Sequence, residues 1–331
     1  MSTKKRTKKR KLKARFWIIV LVLAVIICGV IIFAVFRGPA REEPPKKGHI
    51  LYNITHAPST QLEEIDVDLL SSFAEVYDLS GRKVLFTKDA DGKARPASLT
   101  KMMTALVFLE NTKDLDRKTA VPASVVKELE GTDIARLDLY AGEKLSGKDL
   151  LYGLLLSSAA DCAYTMAEKT AGSEKAFVKM MNEKAEKLGM KNTSFGNPVG
   201  LDDDKTYTTA SDLIRLMRHA LKNKTFRKVI TSKKYTIEPT NKRSTPISLH
   251  STVFSKFENG SPYVRGGKTG TTDGAQNCLA TLAEINGNQY LCVTCHAETT
   301  YDHPLPSGED AETVYEEIDE QIDEIIEKEY K

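Results

Sequence analysis

One uninterrupted apolar run dominates the start of the chain. Residues 16–36 read FWIIVLVLAVIICGVIIFAVF and contain neither a charged residue nor a proline. A helix of this length, rising about 1.5 Å per residue, spans about 30 Å, the thickness of the hydrocarbon core of a bilayer. A cleavable signal peptide has a shorter apolar stretch and an Ala-x-Ala-like site, which does not follow this run. The pattern predicts an uncleaved transmembrane anchor over residues 16–36.

The charges on either side of this run predict its orientation. Residues 1–15 carry nine Lys and Arg and no acid, and all 45 Asp and Glu lie beyond residue 36. Because positive charge is retained in the cytoplasm, residues 1–15 are predicted to form a cytoplasmic tail and the bulk of the chain to lie outside the cell membrane. The basic run alone is also typical of a nucleic-acid-binding arm. The rest of the chain has a net charge of −6, which argues against nucleic acid as a partner.

The hydrophobic pattern beyond the apolar run predicts a linker followed by one folded domain. Residues 37–66 contain prolines, a glycine-proline pair and scattered charges, a composition typical of a linker. The folded domain is predicted to span residues 67–331. Within it, residues 73–86 read as two β-rich runs around Ser80-Gly81, and residues 278–296 as two strands around Asn286-Gly287.

The acidic end of the chain is predicted to form a helix. Val314, Ile318, Ile322 and Ile325 fall on one helical stripe within residues 309–331. Membrane-surface helices tend to carry Lys and Arg on their polar face. This polar face is acidic, so we expect the stripe to pack against the sheet of the domain.

The cysteines and histidines indicate no metal site and no cofactor. Cys292 and Cys295 lie three residues apart on a predicted strand, so their side chains point to opposite faces and cannot readily share a metal. No His-Glu-x-x-His sequence occurs. The hairpin register places Cys278 opposite Cys295, where a disulfide or two buried thiols are both compatible with the pattern.

A Ser-x-x-Lys motif opens a predicted helix. In RPASLTKMMTALVFLE, Pro96 suits a first helical turn, and a buried face follows it. Ser98 and Lys101 are neighbours on one helical face. A lysine kept neutral by burial can accept the serine proton, and the helix N-terminus favours developing negative charge. The motif alone is weak, because Ser-x-x-Lys also begins at Ser2, Ser80 and Ser124, where a solvent-facing pair is the simpler interpretation.

Two further features accompany this motif. In LLYGLLLSSAADCAYTM, Ser158 lies at a junction between two predicted helices, where it can face a cleft or simply cap a helix. Lys268-Thr269-Gly270 is the only Lys-Thr-Gly sequence and fits an inner strand bordering a groove. Its edge could pair with an extended peptide while the lysine and threonine hold a carboxylate. A glycine-rich turn with a solvated lysine is the alternative.

Ser98-Leu99-Thr100-Lys101, Ser158 and Lys268-Thr269-Gly270, in this order, resemble the active-site set of penicillin-binding proteins and serine β-lactamases. Among these the chain is most similar to the low-molecular-mass D-alanyl-D-alanine carboxypeptidases. The stretches PASLTKMMTAL, AGEKLSGKDLLYGLLL and GGKTGTTDGAQNCLA extend the likeness over roughly residues 71–297. The resemblance implies an α+β, β-lactamase/transpeptidase-like fold, with an antiparallel sheet flanked by helices and the active site between sheet and helices.

The resemblance also implies a reaction and its partners. Ser98 would attack the carbonyl between two terminal D-Ala residues of a peptidoglycan stem peptide, with Lys101 as general base and Ser158 as proton relay. Water would then release the acyl-enzyme. β-Lactams would acylate the same serine.

Substrate binding is implied for the Lys-Thr-Gly strand. Lys268 and Thr269, followed by Gly270, would hold the terminal carboxylate. The backbone N–H groups of Ser98 and Thr271 would form the oxyanion hole.

The second motif departs from the family pattern. The family usually has Ser-Gly-Asn, whereas this chain has Ser158-Ala159-Ala160. Losing a hydrogen-bonding group typically costs about 0.5–1.5 kcal/mol. The departure leaves open a catalytically weakened penicillin-binding scaffold of the cell wall as an alternative to an active carboxypeptidase. A β-lactamase is less favoured, because no motif for a deacylating glutamate is recognisable.

Overall fold

The computed structural model describes residues 61–329, and all structural statements below concern that range. The predicted cytoplasmic tail over residues 1–15 and the predicted anchor over residues 16–36 lie outside the described residues. Within residues 61–329, no helix is both long and apolar enough to cross a membrane.

An antiparallel sheet of five strands forms the centre of the described domain, in the order β2-β1-β9-β8-β7. Two small two-stranded sheets, β3-β4 and β5-β6, accompany it. The strands are β1 (Phe73–Asp78), β2 (Lys83–Lys88), β3 (Lys118–Ala120), β4 (Lys144–Ser146), β5 (Lys234–Ile237), β6 (Ile247–His250), β7 (Val264–Thr272), β8 (Gln276–Ile285) and β9 (Asn288–Ala297).

Helices cover both faces of the sheet. A short 3₁₀ turn over Ala97–Leu99 precedes the first of them. The helices are α1 (Thr100–Asn111), α2 (Ala123–Glu128), α3 (Gly147–Leu156), α4 (Ala160–Ala171), α5 (Glu174–Lys187), α6 (Ala210–Ala220), α7 (Lys224–Ile230) and α8 (Pro306–Glu329). The α+β architecture implied by the family resemblance is confirmed.

Both predicted hairpins are present in the central sheet. The β1–β2 turn is held by Asp78, whose Oδ1 accepts hydrogen bonds from the backbone N–H groups of Ser80 and Gly81, each at 2.8 Å. The β8–β9 turn places Asn286 and Gly287 at φ values of 47° and 76°. Positive φ at both central residues is the requirement of the tight turn that Asn-Gly satisfies best.

Side chains that alternate across the sheet build two hydrophobic cores. The larger core lies between the sheet and helices α1 to α7, and the smaller one lies under α8. Val314, Ile318 and Ile322 are fully buried in the smaller core, and Ile325 packs against it. The prediction that this acidic helix packs on the sheet through one stripe is therefore confirmed.

The smaller core also shows where the folded domain begins. Leu62 and Ile65 are 2% and 5% exposed and belong to that core, and the Ile65 N–H donates to the Leu85 carbonyl at 2.9 Å. The predicted linker over residues 37–66 was thus too long at its C-terminal end. Acidic and polar residues surround these two apolar residues in the sequence, so the composition of the segment did not indicate that they are buried.

The cysteines follow the sheet geometry. Cys292 belongs to the smaller core and Cys295 to the larger one, so the two side chains lie on opposite faces, as predicted. Leu279 pairs with Thr294, but Asn277 pairs with Ala297, so a β-bulge falls at Cys278. Cys278 and Cys295 are buried free thiols in this structure.

Candidate active site

Ser98 lies at the start of the most deeply buried helix. It occupies the 3₁₀ turn Ala97–Leu99, directly before α1, in which every residue from Thr100 to Leu109 is buried. Ala97 has a φ of 44°, a left-handed conformation that is strained for a residue with a side chain. Ser98 itself is half-buried, so its hydroxyl is held at the end of a rigid element while still facing a cleft.

Lys101 points its amine at this serine. Its Nζ lies 2.8 Å from the Ser98 Oγ and 2.8 Å from the Val199 carbonyl oxygen. The lysine side chain is 2% exposed. Burial lowers the pKa of Lys101 to about 7, because the low-dielectric interior disfavours the charged amine. Near neutral pH the amine is therefore able to receive the proton of the hydroxyl beside it.

A second serine and lysine meet nearby. Lys268 Nζ donates to the Ser158 Oγ at 3.0 Å and to the Thr269 carbonyl oxygen at 2.7 Å. Lys268 is fully buried, and burial, followed by the charge of Lys101, lowers its pKa well below the ordinary value. The influence of Lys101 shows that the two amines are close enough to repel each other.

Ser158 does not cap a helix. It precedes α4, whose N-cap residue is Ala159, and it has a φ of 59°. This left-handed backbone conformation accompanies the hydrogen bond that its hydroxyl accepts from Lys268. The structure thus excludes the alternative in which this serine serves only as a helix cap.

The Lys-Thr-Gly sequence lies on β7, which is an edge strand of the sheet and not an inner one as predicted. A side chain at Gly270 would begin 3.0 Å from the Pro96 carbonyl oxygen and 3.1 Å from the Ser98 backbone nitrogen. Glycine at this position allows the strand to lie directly against the turn that carries Ser98. The Thr269 hydroxyl shares a hydrogen bond of 2.7 Å with that of Thr252.

A cavity of about 570 Å³ opens at the first serine–lysine pair. Ser98 and Lys101 line it together with three segments, residues 133–135, 199–202 and 271–273. Thr271, a candidate oxyanion-hole residue, belongs to this lining. Ser158, Lys268 and Thr269 do not, and each is less than 9% exposed. The first pair therefore lines the cleft directly, whereas the second pair is buried outside this lining.

Asn197 is a site residue that the sequence analysis missed. Its Oδ1 accepts hydrogen bonds from the backbone N–H groups of Val199, Gly200 and Leu201 at 3.2, 2.7 and 3.0 Å. Its Nδ2 donates to Asp203 at 2.8 Å. These bonds hold the loop whose Val199 carbonyl accepts from Lys101. The Asn-Pro-x-Gly sequence was the available signal, because it is typical of a tight, side-chain-stabilised turn.

Asp161 is a second missed residue. Its carboxylate accepts hydrogen bonds from the N–H groups of Leu137, Leu139 and Cys162 at 3.0, 3.1 and 2.9 Å. Burial nevertheless raises its pKa. The bonds tie the segment that leads out of the cleft wall to the start of α4, and so fix the position of that wall.

Ala160, which occupies the place of the family's asparagine, is fully buried. Its N–H donates to the Ala135 carbonyl oxygen at 2.8 Å. The methyl side chain offers no hydrogen bond to either lysine, as the sequence analysis anticipated. The Val199 carbonyl provides Lys101 with an acceptor in addition to Ser98.

Between residues 61 and 329, no group of three or more His, Cys, Asp or Glu side chains is arranged to hold a metal ion.

Comparisons with known proteins identify the family of this chain. A family model described as D-alanyl-D-alanine carboxypeptidase matches residues 60–299. The chain is 34% identical over 218 residues to D-alanyl-D-alanine carboxypeptidase DacF of Bacillus subtilis, a match that covers 66% of this chain but only 55% of that protein. It is also 34% identical over 227 residues to a D-alanyl-D-alanine carboxypeptidase of a Streptomyces species, covering 65% of this chain and 77% of that one.

Solved structures show the same likeness. A crystal structure of a Streptomyces DD-transpeptidase has a TM-score of 0.70 and 26% identity, covering 76% of this chain and 98% of that one. A D-alanyl-D-alanine carboxypeptidase from Mycobacterium tuberculosis has a TM-score of 0.68 and 25% identity, covering 77% and 93%. The chain belongs to the D-alanyl-D-alanine carboxypeptidase family, a family of serine hydrolases.

Proposed function

We propose that this protein is a membrane-anchored serine-type D-alanyl-D-alanine carboxypeptidase that removes the terminal D-Ala from peptidoglycan stem peptides. The observation that carries the proposal is the contact of 2.8 Å between Lys101 Nζ and Ser98 Oγ, at a lysine whose pKa burial lowers to about 7. A serine beside a neutral amine at a helix start is equipped for nucleophilic attack without histidine.

Acylation begins at Ser98. Its Oγ attacks the carbonyl carbon of the peptide bond between the two D-Ala residues while Lys101 takes its proton. The N–H groups of Ser98 and Thr271 stabilise the oxyanion, for which each such donor typically contributes about 3 kcal/mol. Collapse of the intermediate breaks the C–N bond, and the proton taken up by Lys101 passes through Ser158 to the departing amine of D-Ala. Water then attacks the ester carbonyl and gives a proton to Lys101. The bond to Ser98 Oγ breaks, Lys101 returns that proton to Ser98, and the shortened peptide leaves with a new carboxyl group.

The free edge of β7 positions the substrate. An extended peptide can pair with this strand by backbone hydrogen bonds. Lys268 and Thr269 hold its terminal carboxylate, and Gly270 permits close approach to Ser98. Within residues 61–329, Lys268 forms no salt bridge with a carboxylate, so its buried amine lacks a counter-charge. The substrate carboxylate provides one, which links peptide binding to protonation of Lys268.

The alternative of a weakened scaffold is less well supported than an active enzyme. It rests on Ala160, which lacks the amide that would steady the lysine. Lys101 keeps two acceptors without it, Ser98 Oγ and the Val199 carbonyl oxygen. The reactive pair is therefore oriented even though the usual asparagine is missing, and β-lactams are expected to acylate Ser98.

The location follows from the N-terminal sequence. We propose that residues 16–36 anchor the chain in the cell membrane as a single span, with residues 1–15 in the cytoplasm. The catalytic domain then lies outside the membrane, where peptidoglycan is assembled.

The test is release of D-Ala from a peptide ending in D-Ala-D-Ala, measured alongside labelling by fluorescent penicillin. Wild-type protein is expected to do both. Ser98→Ala should lose at least about 1,000-fold in D-Ala release and all labelling. Ser124→Ala is the matched control, because Ser124 begins another Ser-x-x-Lys sequence but is exposed on α2.

Three results would contradict the proposal. Labelling of wild-type protein without D-Ala release would favour the scaffold. Steady-state hydrolysis of penicillin within seconds would favour a β-lactamase. Equal activity of Ser98→Ala and Ser124→Ala would remove the assigned nucleophile.

A further inference from the structure

A second cavity, of about 730 Å³, lies between the β1–β2 turn, helix α6 and helix α7. Its lining contains five Arg or Lys side chains and one histidine, and neither Asp nor Glu. The six side chains are Arg82, Arg215, Arg218, His219, Lys222 and Arg227. None of them belongs to the cleft at Ser98.

These cations come from three separate parts of the chain. Arg215, Arg218, His219 and Lys222 follow the spacing i, i+3, i+4, i+7, so they share one face of α6 and of the turn after it. Arg82 comes from the turn between β1 and β2, and Arg227 comes from α7. A solvated face of a single helix would contain cations of that helix alone. This cluster also contains Arg82 and Arg227, which come from other elements.

Neutral groups position two of the guanidinium groups. Arg218 lies 3.8 Å from the ring centroid of Tyr77. Arg227 donates through Nε to the Leu221 carbonyl oxygen at 3.1 Å, and through a terminal nitrogen to the Gln289 side chain at 3.0 Å. These contacts order the guanidinium groups and leave their charges uncompensated.

Carboxylates are scarce around the lining. Arg215 lies 3.5 Å from Asp212. Among the ion pairs within residues 61–329, Asp212 is the only carboxylate that lies within 4.0 Å of any of the five lining Arg and Lys residues. His219 contacts Glu110 at 3.5 Å. Glu75 is buried close to α6, and burial raises its pKa despite the nearby arginines. The cations therefore outnumber the acids that face them.

A concave lining with this excess of cations favours the binding of an anion. Like charges held at short range repel each other. The overall charge of the chain does not explain the crowding, because everything beyond residue 36 sums to −6. Ordered guanidinium forks without carboxylate partners match the geometry of oxyanions, phosphate above all.

We propose that this cavity is a binding site for an anionic ligand that carries two or more phosphate groups. A volume of about 730 Å³ exceeds the space that a single tetrahedral anion fills, and cations on three elements can contact several phosphates at once. Both a soluble phosphate polymer and the headgroup of cardiolipin, a phospholipid with two phosphates, have this chemistry.

The test is calorimetric titration of the full-length chain, in neutral detergent, with sodium tripolyphosphate. We expect saturable binding. The double variant Arg82→Gln, Lys222→Gln should weaken binding at least about tenfold. Both side chains are exposed, so their loss should leave the fold and D-Ala release unchanged.

The matched control removes the same charges elsewhere. Arg117→Gln, Lys127→Gln replaces one exposed arginine and one exposed lysine outside the lining and should bind tripolyphosphate like the wild type. Absence of saturable binding, or equal weakening in both double variants, would overturn the proposal.

Nanodiscs distinguish the two sources of phosphate. If binding of tripolyphosphate to the wild type is the same in discs of phosphatidylcholine and in discs that also contain cardiolipin, the site takes a soluble ligand. If cardiolipin abolishes this binding in the wild type, while Arg82→Gln, Lys222→Gln shows no such dependence on lipid, the site takes the lipid headgroup. Either result supports a phosphate site.

Discussion

Two serine–lysine pairs built from the same side chains differ in their surroundings. The Ser98–Lys101 pair has a donor–acceptor distance of 2.8 Å and lines the cleft. The Ser158–Lys268 pair has a distance of 3.0 Å, is buried and does not line that cleft. Burial lowers both lysine pKa values, and the charge of Lys101 also lowers that of Lys268. The two pairs share their chemistry and differ in the exposure of the serine hydroxyl, which is why we propose Ser98 as the nucleophile and Ser158 as the relay.

The backbone at both pairs is unusual in the same way. Ala97, beside the first serine, and Ser158 itself both have positive φ values of 44° and 59°. Such conformations cost about 1–3 kcal/mol each for residues with side chains, and persist only where the surrounding packing enforces them. At Ala97, close packing at Gly200 and Gly270 provides this enforcement, since a side chain at either would contact the residue 96–98 turn.

Removing one member of each pair gives the largest expected contrast. Lys101→Ala should slow acylation by labelled penicillin by about 100- to 10,000-fold, because the general base is lost. Ser158→Ala should slow it by about 10- to 100-fold, because Lys268 loses one of its two hydrogen-bond acceptors. The rate of adduct formation measures both. Equal losses in the two variants would show that the pairs are not functionally distinct.

The pH dependence of acylation sharpens the comparison. Lys101 must be neutral to accept the proton, and its pKa is about 7. The rate of labelling should therefore rise about tenfold per pH unit below pH 7 and level off above it. Lys256→Gln is the matched control: burial also lowers the pKa of that lysine, yet it lies outside the cleft lining. A flat profile in the wild type, or a changed profile in the control, would contradict Lys101 as the base.

The smallest effect is expected at the motif position that departs from the family. Ala160→Asn should raise kcat/KM for D-Ala release by no more than about tenfold, the equivalent of about 0.5–1.5 kcal/mol for one hydrogen bond. The gain is small because Lys101 already has the Val199 carbonyl as an acceptor. Ala160→Leu adds similar bulk without an amide and should give no gain. A much larger rise with asparagine would mean that the wild-type pair is poorly oriented.

Local patterns in the sequence were enough for several elements. The Asn286-Gly287 and Ser80-Gly81 turns, the two helices that flank Ser158 and the apolar stripe of α8 all depend on residues close together in the chain. Their periodicity and turn chemistry are local properties, and the structure confirms them. The pairing of Ser98 with Lys101 is local too, because three residues are one helical turn.

Other features depended on contacts between distant residues. The burial of Leu62 and Ile65 needs α8, which is more than 240 residues away. The edge position of β7 depends on the order of strands in the sheet, and the role of Asn197 depends on where its loop meets Lys101. No local pattern contains this information.

The sequence by itself determined the family and the candidates for the chemistry, because the motifs Ser-x-x-Lys and Lys-Thr-Gly and the resemblance they support are written in residue types and spacings. Only the tertiary structure decided how those residues differ from one another. Burial sets the pKa of Lys101 near 7, the cavity exposes one serine and not the other, and distant arginines converge beside α6. Desolvation and proximity are properties of the packed chain, so they emerge only when segments far apart in sequence come into contact.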